Sequence, residues 1–494
     1  MTVTVSCRTP RLRGRAWWCA LGSMARSGET PRNGADADVI VLGGGAVGEN
    51  AAHRAVLGGL SAVLVEHDLL GGECSYWACM PSKALLRPGN LLAAVRRMPG
   101  VAAPESLDRE AVLALRDSFA AHWDDSAQFD WAQGAGVRVL RGTARLTGPR
   151  ELTLADGTVL RAAHAVVICT GSVPVRPPID GLAEAPVWTS HEATSAQTAP
   201  GSLAVLGDGA VGVEMAQVWA RFGVEVELIS TSDRVLPKLP PFVGEHVERG
   251  LRDDGVRVHH DSRAVRVATE DGRMCVELDG GGVVRADELL LATGRRPRTD
   301  DIGLEAVGLR PGEELTVDDS GLVRGVDGEW LYAAGDVTGR VLLTHQGKYA
   351  ARVVGDAVAA RARGERVEPV PWSGYAATAD HHAVPQVVFT DPEVASVGLT
   401  EATDHRHRVL DLDLAVAGAS LQAQGYSGAV RVVVDTEREV VLGAVLVGQD
   451  VAEMLHAATV AVVGEVPMRR LWHAVPAFPT MSEIWLRVLE EYGL

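Results

Sequence analysis

The chain has 494 residues, 47% of them hydrophobic and 22% charged, with a formal net charge of −17 at pH 7. That length holds about two to four domains, no apolar run approaches the roughly 18 residues of a membrane-spanning helix, and so acidic a chain excludes nucleic acid, whose phosphates require a basic surface. Six cysteines, at positions 7, 19, 74, 79, 169 and 275, are too few for a structural disulfide framework and fit a reducing, cytoplasmic compartment.

Residues 1–35 carry Arg8, Arg11, Arg13, Arg15, Arg26 and Arg32 against one acid, Glu29, and show no strand pattern. Residues 17–21 are apolar but shorter than the core of a secretory signal. This segment reads as a disordered tail, or as sequence upstream of a start at Met24.

Residues 38–42 form a short apolar run of the kind that makes a buried parallel strand. It leads into Gly43-Gly44-Gly45-Ala46-Val47-Gly48, a helical stretch over 49–57, the breaker Gly58-Gly59, and a second strand over 60–65 that closes on Glu66. Strand, glycine turn, helix, strand and terminal acid together make a dinucleotide fingerprint. Gly43, Gly45 and Gly48 supply a tight turn, close approach to a pyrophosphate and close helix–strand packing. The helix N-terminus faces the phosphates, and Glu66 can accept from a ribose hydroxyl.

The next stretch is Gly71-Gly72-Glu73-Cys74-Ser75-Tyr76-Trp77-Ala78-Cys79-Met80-Pro81-Ser82-Lys83. A zinc site would favour C-x2-C and a second pair, which the chain lacks, and no metal is expected. Residues five apart in an undistorted helix have Cα atoms roughly 8–9 Å apart, whereas a disulfide tolerates about 7 Å. A Cys74–Cys79 bridge therefore requires a distorted turn, and a strained bridge is easily reduced. The residues alone leave open a redox disulfide or two buried thiols.

Helices are predicted over 85–98 and, with interruptions, 109–132; short strands follow over 137–140, at 146 and over 151–154, with a hairpin turn at Asp156-Gly157-Thr158. Another buried strand, 165–169, ends in Thr170-Gly171, and Cys169 within it reads as a core residue. A second fingerprint then appears. Residues 202–206 run into Gly207-Asp208-Gly209-Ala210-Val211-Gly212, followed by a helix over 213–222 and a strand over 224–229. One nucleotide-binding core needs only one phosphate turn, so two turns imply two dinucleotides, a flavin and a nicotinamide. The second strand ends in Ser230-Thr231-Ser232-Asp233-Arg234 rather than in an acid. An acid there would bind the 2′-hydroxyl of NAD; hydroxyls and Arg234 instead favour the 2′-phosphate of NADPH.

Residues 289–297 repeat the strand-plus-Thr-Gly ending at Thr293-Gly294, and 331–336 end a strand on Gly335-Asp336. Pro369 and Pro371 mark a linker, and from 383 onward alternating strands followed by two helices predict an α+β unit suited to assembly.

In this order the motifs resemble the class I flavoprotein disulfide reductases, the family of dihydrolipoamide dehydrogenase, glutathione reductase and mercuric reductase, over residues 36–494. The resemblance implies an α/β fold of two Rossmann-like dinucleotide-binding domains, for FAD and NAD(P)H, plus a C-terminal α+β dimerisation domain. The expected boundaries are an FAD-binding domain at 36–178 and 292–368, an NAD(P)-binding domain at 179–291 and a dimerisation domain at 369–494 that makes a homodimer. FAD would sit on the first fingerprint and on Thr170, Gly171, Gly294 and Gly335, with Asp336 on its ribityl chain. Cys79 would be the flavin-proximal sulfur and Cys74 the thiol that meets substrate. Lys83 would lie near flavin N5, paired with Glu214. His345, in Leu-Thr-His-Gln, matches a segment passing close to the flavin, with a plain structural role as the alternative.

The chain departs from the family at its C-terminal signature, H-P-T-x-S-E, which here reads Phe478-Pro479-Thr480-Met481-Ser482-Glu483. The family's histidine serves the partner's disulfide as acid–base, and Phe478 can do neither. Glu483 would orient that base, and His473 is the nearest substitute. Mercuric reductase also lacks the histidine but delivers metal through C-terminal cysteines, and no cysteine follows Cys275. The expected activity is therefore an FAD-dependent NAD(P)H oxidoreductase acting on a small-molecule disulfide or dithiol, nearest to dihydrolipoamide dehydrogenase. The alternatives are a reductase of quinones or similar acceptors, or a poorly active FAD-binding redox sensor.

Overall fold

The computed structural model describes residues 34–494; the tail expected at the N-terminus lies, up to residue 33, outside the described residues. β1 (Ala37–Leu42), α1 (Ala46–Leu57) and β2 (Ala62–Glu66) form the first strand–turn–helix–strand unit. α1 starts three residues earlier than its pattern suggests, because the helix begins directly after Gly45. α2 (Gly72–Tyr76) and α3 (Cys79–Arg96) carry the cysteine stretch. The interrupted helix expected over 109–132 is two helices, α4 (Arg109–Phe119) and α5 (Ser126–Gly134), parted where Ala121, His122 and Trp123 take positive φ.

β3 (Val137–Arg141) follows, then β4 (Ala144–Gly148), β5 (Glu151–Leu154) and β6 (Val159–Ile168). They assemble with the first two strands in the order β3-β2-β1-β6-β5-β4. β6 serves two sheets at once. Its first residues pair antiparallel with β5, and Ala165–Ile168 pair parallel with β1. The parallel strands are buried almost throughout, as a sheet covered on both faces requires.

β7 (Ser172–Pro174) leaves this sheet, and α6 (Ser190–Ser195) precedes the second unit, β8 (Ser202–Leu206), α7 (Ala210–Arg221) and β9 (Glu225–Ile229). α8 (Pro241–Asp253) leads to β10 (Arg257–His259). An antiparallel meander of β11 (Ala264–Glu270), β12 (Arg273–Leu278) and β13 (Val283–Ala286) comes next, then β14 (Glu288–Leu291). The parallel order is β10-β9-β8-β14. β15 (Arg295–Pro297) returns antiparallel to β7, so both crossings between the units run through one two-stranded ribbon.

β16 (Leu331–Ala333) rejoins the first sheet beside β6, and α9 (Thr344–Ala362) packs along α1, with Gly58 against Ala359. The C-terminal part holds α10 (Ala379–His382), β17 (Pro385–Val388), β18 (Glu393–Gly398), β19 (His407–Asp413), α11 (Ala417–Gln422), β20 (Ala429–Asp435) and β21 (Val440–Gly448). α12 (Leu455–Val463), α13 (Met468–Leu471) and α14 (Ile484–Tyr492) end the chain. The strands form an antiparallel sheet, β17-β18-β21-β20-β19. One apolar cluster joins Leu85 and Leu86 of α3 to Val213 and Trp219 of α7 and to Val388 and Val445 of the C-terminal sheet. The cysteine-bearing helix is thereby fixed where all three parts meet. Among the described residues no helix is long and apolar enough to cross a membrane.

Candidate active site

The two glycine turns have the same stereochemistry. Gly43 and Gly207 have φ of 100° and 120°, and a Cβ on either would overlap a backbone carbonyl of the neighbouring strand end, Cys169 or Ala292. A Cβ on Gly48 would overlap the Gly43 carbonyl, and one on Gly212 the Gly207 carbonyl. The middle glycines differ. Gly45 has no neighbour closer than Gly72 Cα at 3.9 Å, and Gly209 has none within 4 Å. Both middle glycines cap their helices without any side-chain hydrogen bond. Each turn thus leaves a helix N-terminus without a side-chain cap and open space beside its middle glycine, a fit to a pyrophosphate.

The strand-end groups are exchanged between the turns. In the first, buried Glu66 accepts the Gly44 N–H through Oε2 at 2.6 Å, and the His67 and Asp68 N–H groups through Oε1 at 2.7 and 2.8 Å. Burial pushes its pKa up, but the hydrogen bonds from His67, Asp68 and Gly44 outweigh burial and hold it below the ordinary carboxylate range. In the second, the turn itself carries the acid. Asp208 Oδ2 accepts the Ser230 hydroxyl at 2.5 Å, so a carboxylate reaches the end of β9 after all. Arg234 is turned onto Asp233, with Nη1 to Oδ1 at 3.0 Å. Neither pairing was legible from the strand ends alone.

Between the turns lies the cysteine pair. The helical path breaks at Trp77 and Ala78, the latter at φ −132°, ψ −96°, so Cys74 sits in α2 and Cys79 opens α3. This is the distortion that a bridge across five residues requires. Both cysteines are free thiols and half-buried. Cys79 stands at a helix N-terminus, which favours a thiolate. Thr344 Oγ1 is 3.3 Å from its sulfur. The hydrogen bond from Cys74, helped by Thr344 and the Lys83 ammonium, brings the Cys79 thiol down to about 6 against the effect of burial. Cys74 is pushed up, by that same shared hydrogen bond, by burial and by the charge on Cys79. One sulfur is set to hold charge and the other to keep its proton.

Lys83 Nζ is 2.7 Å from Glu214 Oε2, and Glu214 Oε1 accepts the Phe389 N–H at 2.9 Å. The Phe389 ring also lies 4.8 Å from Lys83 Nζ, a cation–π distance. Three chain segments therefore fix the ammonium. At the break, the Trp77 ring stacks on His191 at 4.4 Å, and Thr194 of α6 donates to the Trp77 carbonyl at 2.9 Å.

The Thr-Gly endings act on the ribbon. Thr170 Oγ1 donates to the Arg298 carbonyl at 2.7 Å and Thr293 Oγ1 to the Val175 carbonyl at 2.9 Å, while Gly171 and Gly294 take positive φ. Asp336 accepts from Ser172 Oγ at 2.6 Å, and Gly335 abuts Val47 of the first turn. His345 is drawn away to the Pro385 carbonyl at 2.7 Å; its neighbour Thr344 meets the sulfur. Thr344 was missed by sequence reasoning although it stands in the same Leu-Thr-His motif. Glu49, one residue after Gly48, was missed too. It is buried with Oε1 unpartnered, and burial pushes it up to about 8.

The C-terminal residues stand apart from this cluster. Phe478 is 76% exposed and Val475 83%, with Trp472 beside them also exposed. Glu483 is buried, accepts from Arg487 at 3.0 Å through Oε1, and leaves Oε2 without a partner. His473 has no side-chain hydrogen bond or ion pair to Glu483 or to either cysteine among the described residues.

Residues 37–364 match the family described as pyridine nucleotide-disulphide oxidoreductase, and 384–488 match its dimerisation domain. The chain is 34% identical over 467 residues to the mercuric reductase of Streptomyces lividans, covering 90% of this chain and 94% of the relative. It is 30% identical over 478 residues to the dihydrolipoyl dehydrogenase of Haloferax volcanii, covering 92% and 95%. Among solved structures it resembles LpdA of Mycobacterium tuberculosis, with a TM-score of 0.76, 25% identity and coverage of 92% and 99%. It also shares the fold of the HOCl-induced flavoprotein disulfide reductase RclA of Escherichia coli, with a TM-score of 0.77, 24% identity and the same coverage.

Proposed function

The chain belongs to the pyridine nucleotide-disulphide oxidoreductase family, and from that premise we propose that it is an FAD- and NAD(P)H-dependent enzyme working through the Cys74–Cys79 pair on a small-molecule disulfide or dithiol, as a homodimer. The observation that carries this reading is the helical break at Trp77 and Ala78, which sets Cys74 in α2 and Cys79 at the N-terminus of α3 with Thr344 Oγ1 3.3 Å from the Cys79 sulfur. FAD, when bound, supplies the two-electron relay between nicotinamide and sulfur. The first glycine turn, with Glu66 and Asp336, would hold it, and the second turn would hold the nicotinamide coenzyme. Lys83, fixed by Glu214, keeps a positive charge beside the Cys79 thiolate, and Cys74 keeps the proton it must lose before attacking a disulfide.

An attacking thiol must first become a thiolate, and Phe478 offers no base to take the proton. A second reading therefore stands beside the first: an acceptor such as a quinone, reduced without thiol attack. The same lack of a base is compatible with a redox sensor of low turnover. For the coenzyme, Arg234 supports NADPH, whereas the Asp208 carboxylate at the end of β9 supports NADH. A cytoplasmic location rests on the sparse cysteines.

Anaerobic titration with NADH and with NADPH tests the reading. The expected result is long-wavelength charge-transfer absorbance from the Cys79 thiolate, lost in Cys79→Ser, with turnover of disulfides lost in Cys74→Ser. No such absorbance, and turnover with every acceptor unchanged in both variants, would sink the disulfide mechanism. Turnover with quinones but not with lipoamide selects the second reading.

A further inference from the structure

Glu73, the residue before Cys74, has its Oε2 2.5 Å from Arg295 Nη2. Arg295 is the first residue of β15, the returning strand of the ribbon. The same guanidinium donates from Nε to Ser172 Oγ at 2.7 Å and from Nη2 to the Ser172 carbonyl at 2.8 Å. Ser172 Oγ passes the chain on to Asp336 Oδ2 at 2.6 Å. Redox turn, both ribbon strands and the carboxylate after β16 are joined in one run of hydrogen bonds, with Ser172 buried within it.

α2 cannot hold itself. It has five residues, its N-cap Gly71 sits at φ 110° without a side-chain cap, and its path breaks at Trp77. A helix of that length does not persist without outside contacts. Its outside contacts include the Gly71 N–H to the Gly44 carbonyl at 2.8 Å, the Trp77–His191 stack, the Thr194–Trp77 hydrogen bond and the Glu73–Arg295 ion pair. Of these only the Glu73–Arg295 pair joins the turn to the ribbon. An arginine fork can serve Glu73 and Ser172 together, which a lysine ammonium cannot match in geometry.

We propose that Arg295 is a positioning residue: through Glu73 it ties the turn bearing Cys74 to the interdomain ribbon, and through Ser172 it holds the Asp336 carboxylate in the same frame. The catalytic consequence rests on the reading of Cys74 and Cys79 as the redox pair; the tie itself does not.

The test compares the FAD-loaded protein with Glu73→Gln, Arg295→Lys and the double variant. Two quantities are read: amide hydrogen exchange of residues 71–78, and charge-transfer absorbance after one equivalent of NADH and, separately, of NADPH. Loss of a charge-assisted hydrogen bond should speed exchange of 71–78 about tenfold, with residues 202–206 unchanged and the absorbance reduced. The double variant should exchange no faster than the faster single one, because both remove the same bond. Exchange at 71–78 within about twofold of the parent in both single variants, or effects that multiply in the double variant, would overturn the proposal. Linked effects on exchange in a protein whose parent shows no charge-transfer absorbance support the tie and overturn the disulfide reading instead.

Discussion

Alanine placed at each glycine of the first turn should give three separable outcomes. At Gly48 the new methyl overlaps the Gly43 carbonyl, inside the turn's own backbone, so α1 must shift off β1. Overpacking of this kind costs about 1–3 kcal/mol and sometimes more. At Gly43 the methyl overlaps the Cys169 carbonyl, and φ is 100°. A left-handed conformation adds about 1–2 kcal/mol to an overlap of similar size, so about 2–5 kcal/mol in all. Gly45 has φ −68° and open space out to 3.9 Å, so the apoprotein tolerates alanine, a gain of about 0.4–1 kcal/mol from the stiffer unfolded chain roughly offsetting the poorer N-cap. Its methyl instead intrudes where a pyrophosphate would lie, costing about 1–3 kcal/mol of cofactor binding, or about 5- to 150-fold in affinity. Urea denaturation of the apoprotein and fluorimetric FAD titration measure the two effects separately. The reasoning fails if Gly45→Ala destabilises the apoprotein as much as Gly48→Ala, or if it binds FAD as tightly as the parent. Gly209→Ala is the matching substitution for the nicotinamide coenzyme.

Three further outcomes are expected. Because the Cys79 pKa lies well below its ordinary value, the thiolate persists above about pH 6 and is protonated as pH falls through that value. Charge-transfer absorbance should follow that curve, and Lys83→Met or Thr344→Val should move its midpoint upward; an unmoved midpoint would mean that neither group holds the thiolate. Phe478→His puts a base at the position the family's signature reserves for one and should raise disulfide or dithiol turnover, by up to about 10²–10⁴-fold; unchanged steady-state rates would remove position 478 from the explanation. Asp391→Ala strips a buried carboxylate from Arg221 at 3.0 Å and Arg97 at 2.9 Å. Arg221 keeps Asp254 at 2.8 Å and Arg97 is partly exposed, so losing these charge-assisted bonds costs about 1.5–3 kcal/mol, visible as a lower urea midpoint with FAD affinity per folded molecule retained.

What the sequence determines by itself is local. The two fingerprints are legible because each turn's requirements are met within six residues: a left-handed first glycine, a bare helix start and a last glycine pressed on the first. The cysteine stretch is legible in part for the same reason. A bridge between Cys74 and Cys79 would demand a distorted turn, and the helical path breaks at Ala78. Lys83 stands one turn after Cys79 on α3, but its pairing with Glu214 spans 131 residues and came only through resemblance.

Tertiary structure alone decided everything that depends on two distant segments meeting. Reading the end of β9 in isolation suggested a site without an acid, yet chain folding brings Asp208 to that end. Thr344 reaches Cys79 across 265 residues, and Glu73 reaches Arg295 across 222. The reason is physical. A turn or cap is specified by φ, ψ and near neighbours along the chain, whereas a salt bridge or thiol–hydroxyl contact is specified by which strands cross, and neither partner carries a local mark of the other.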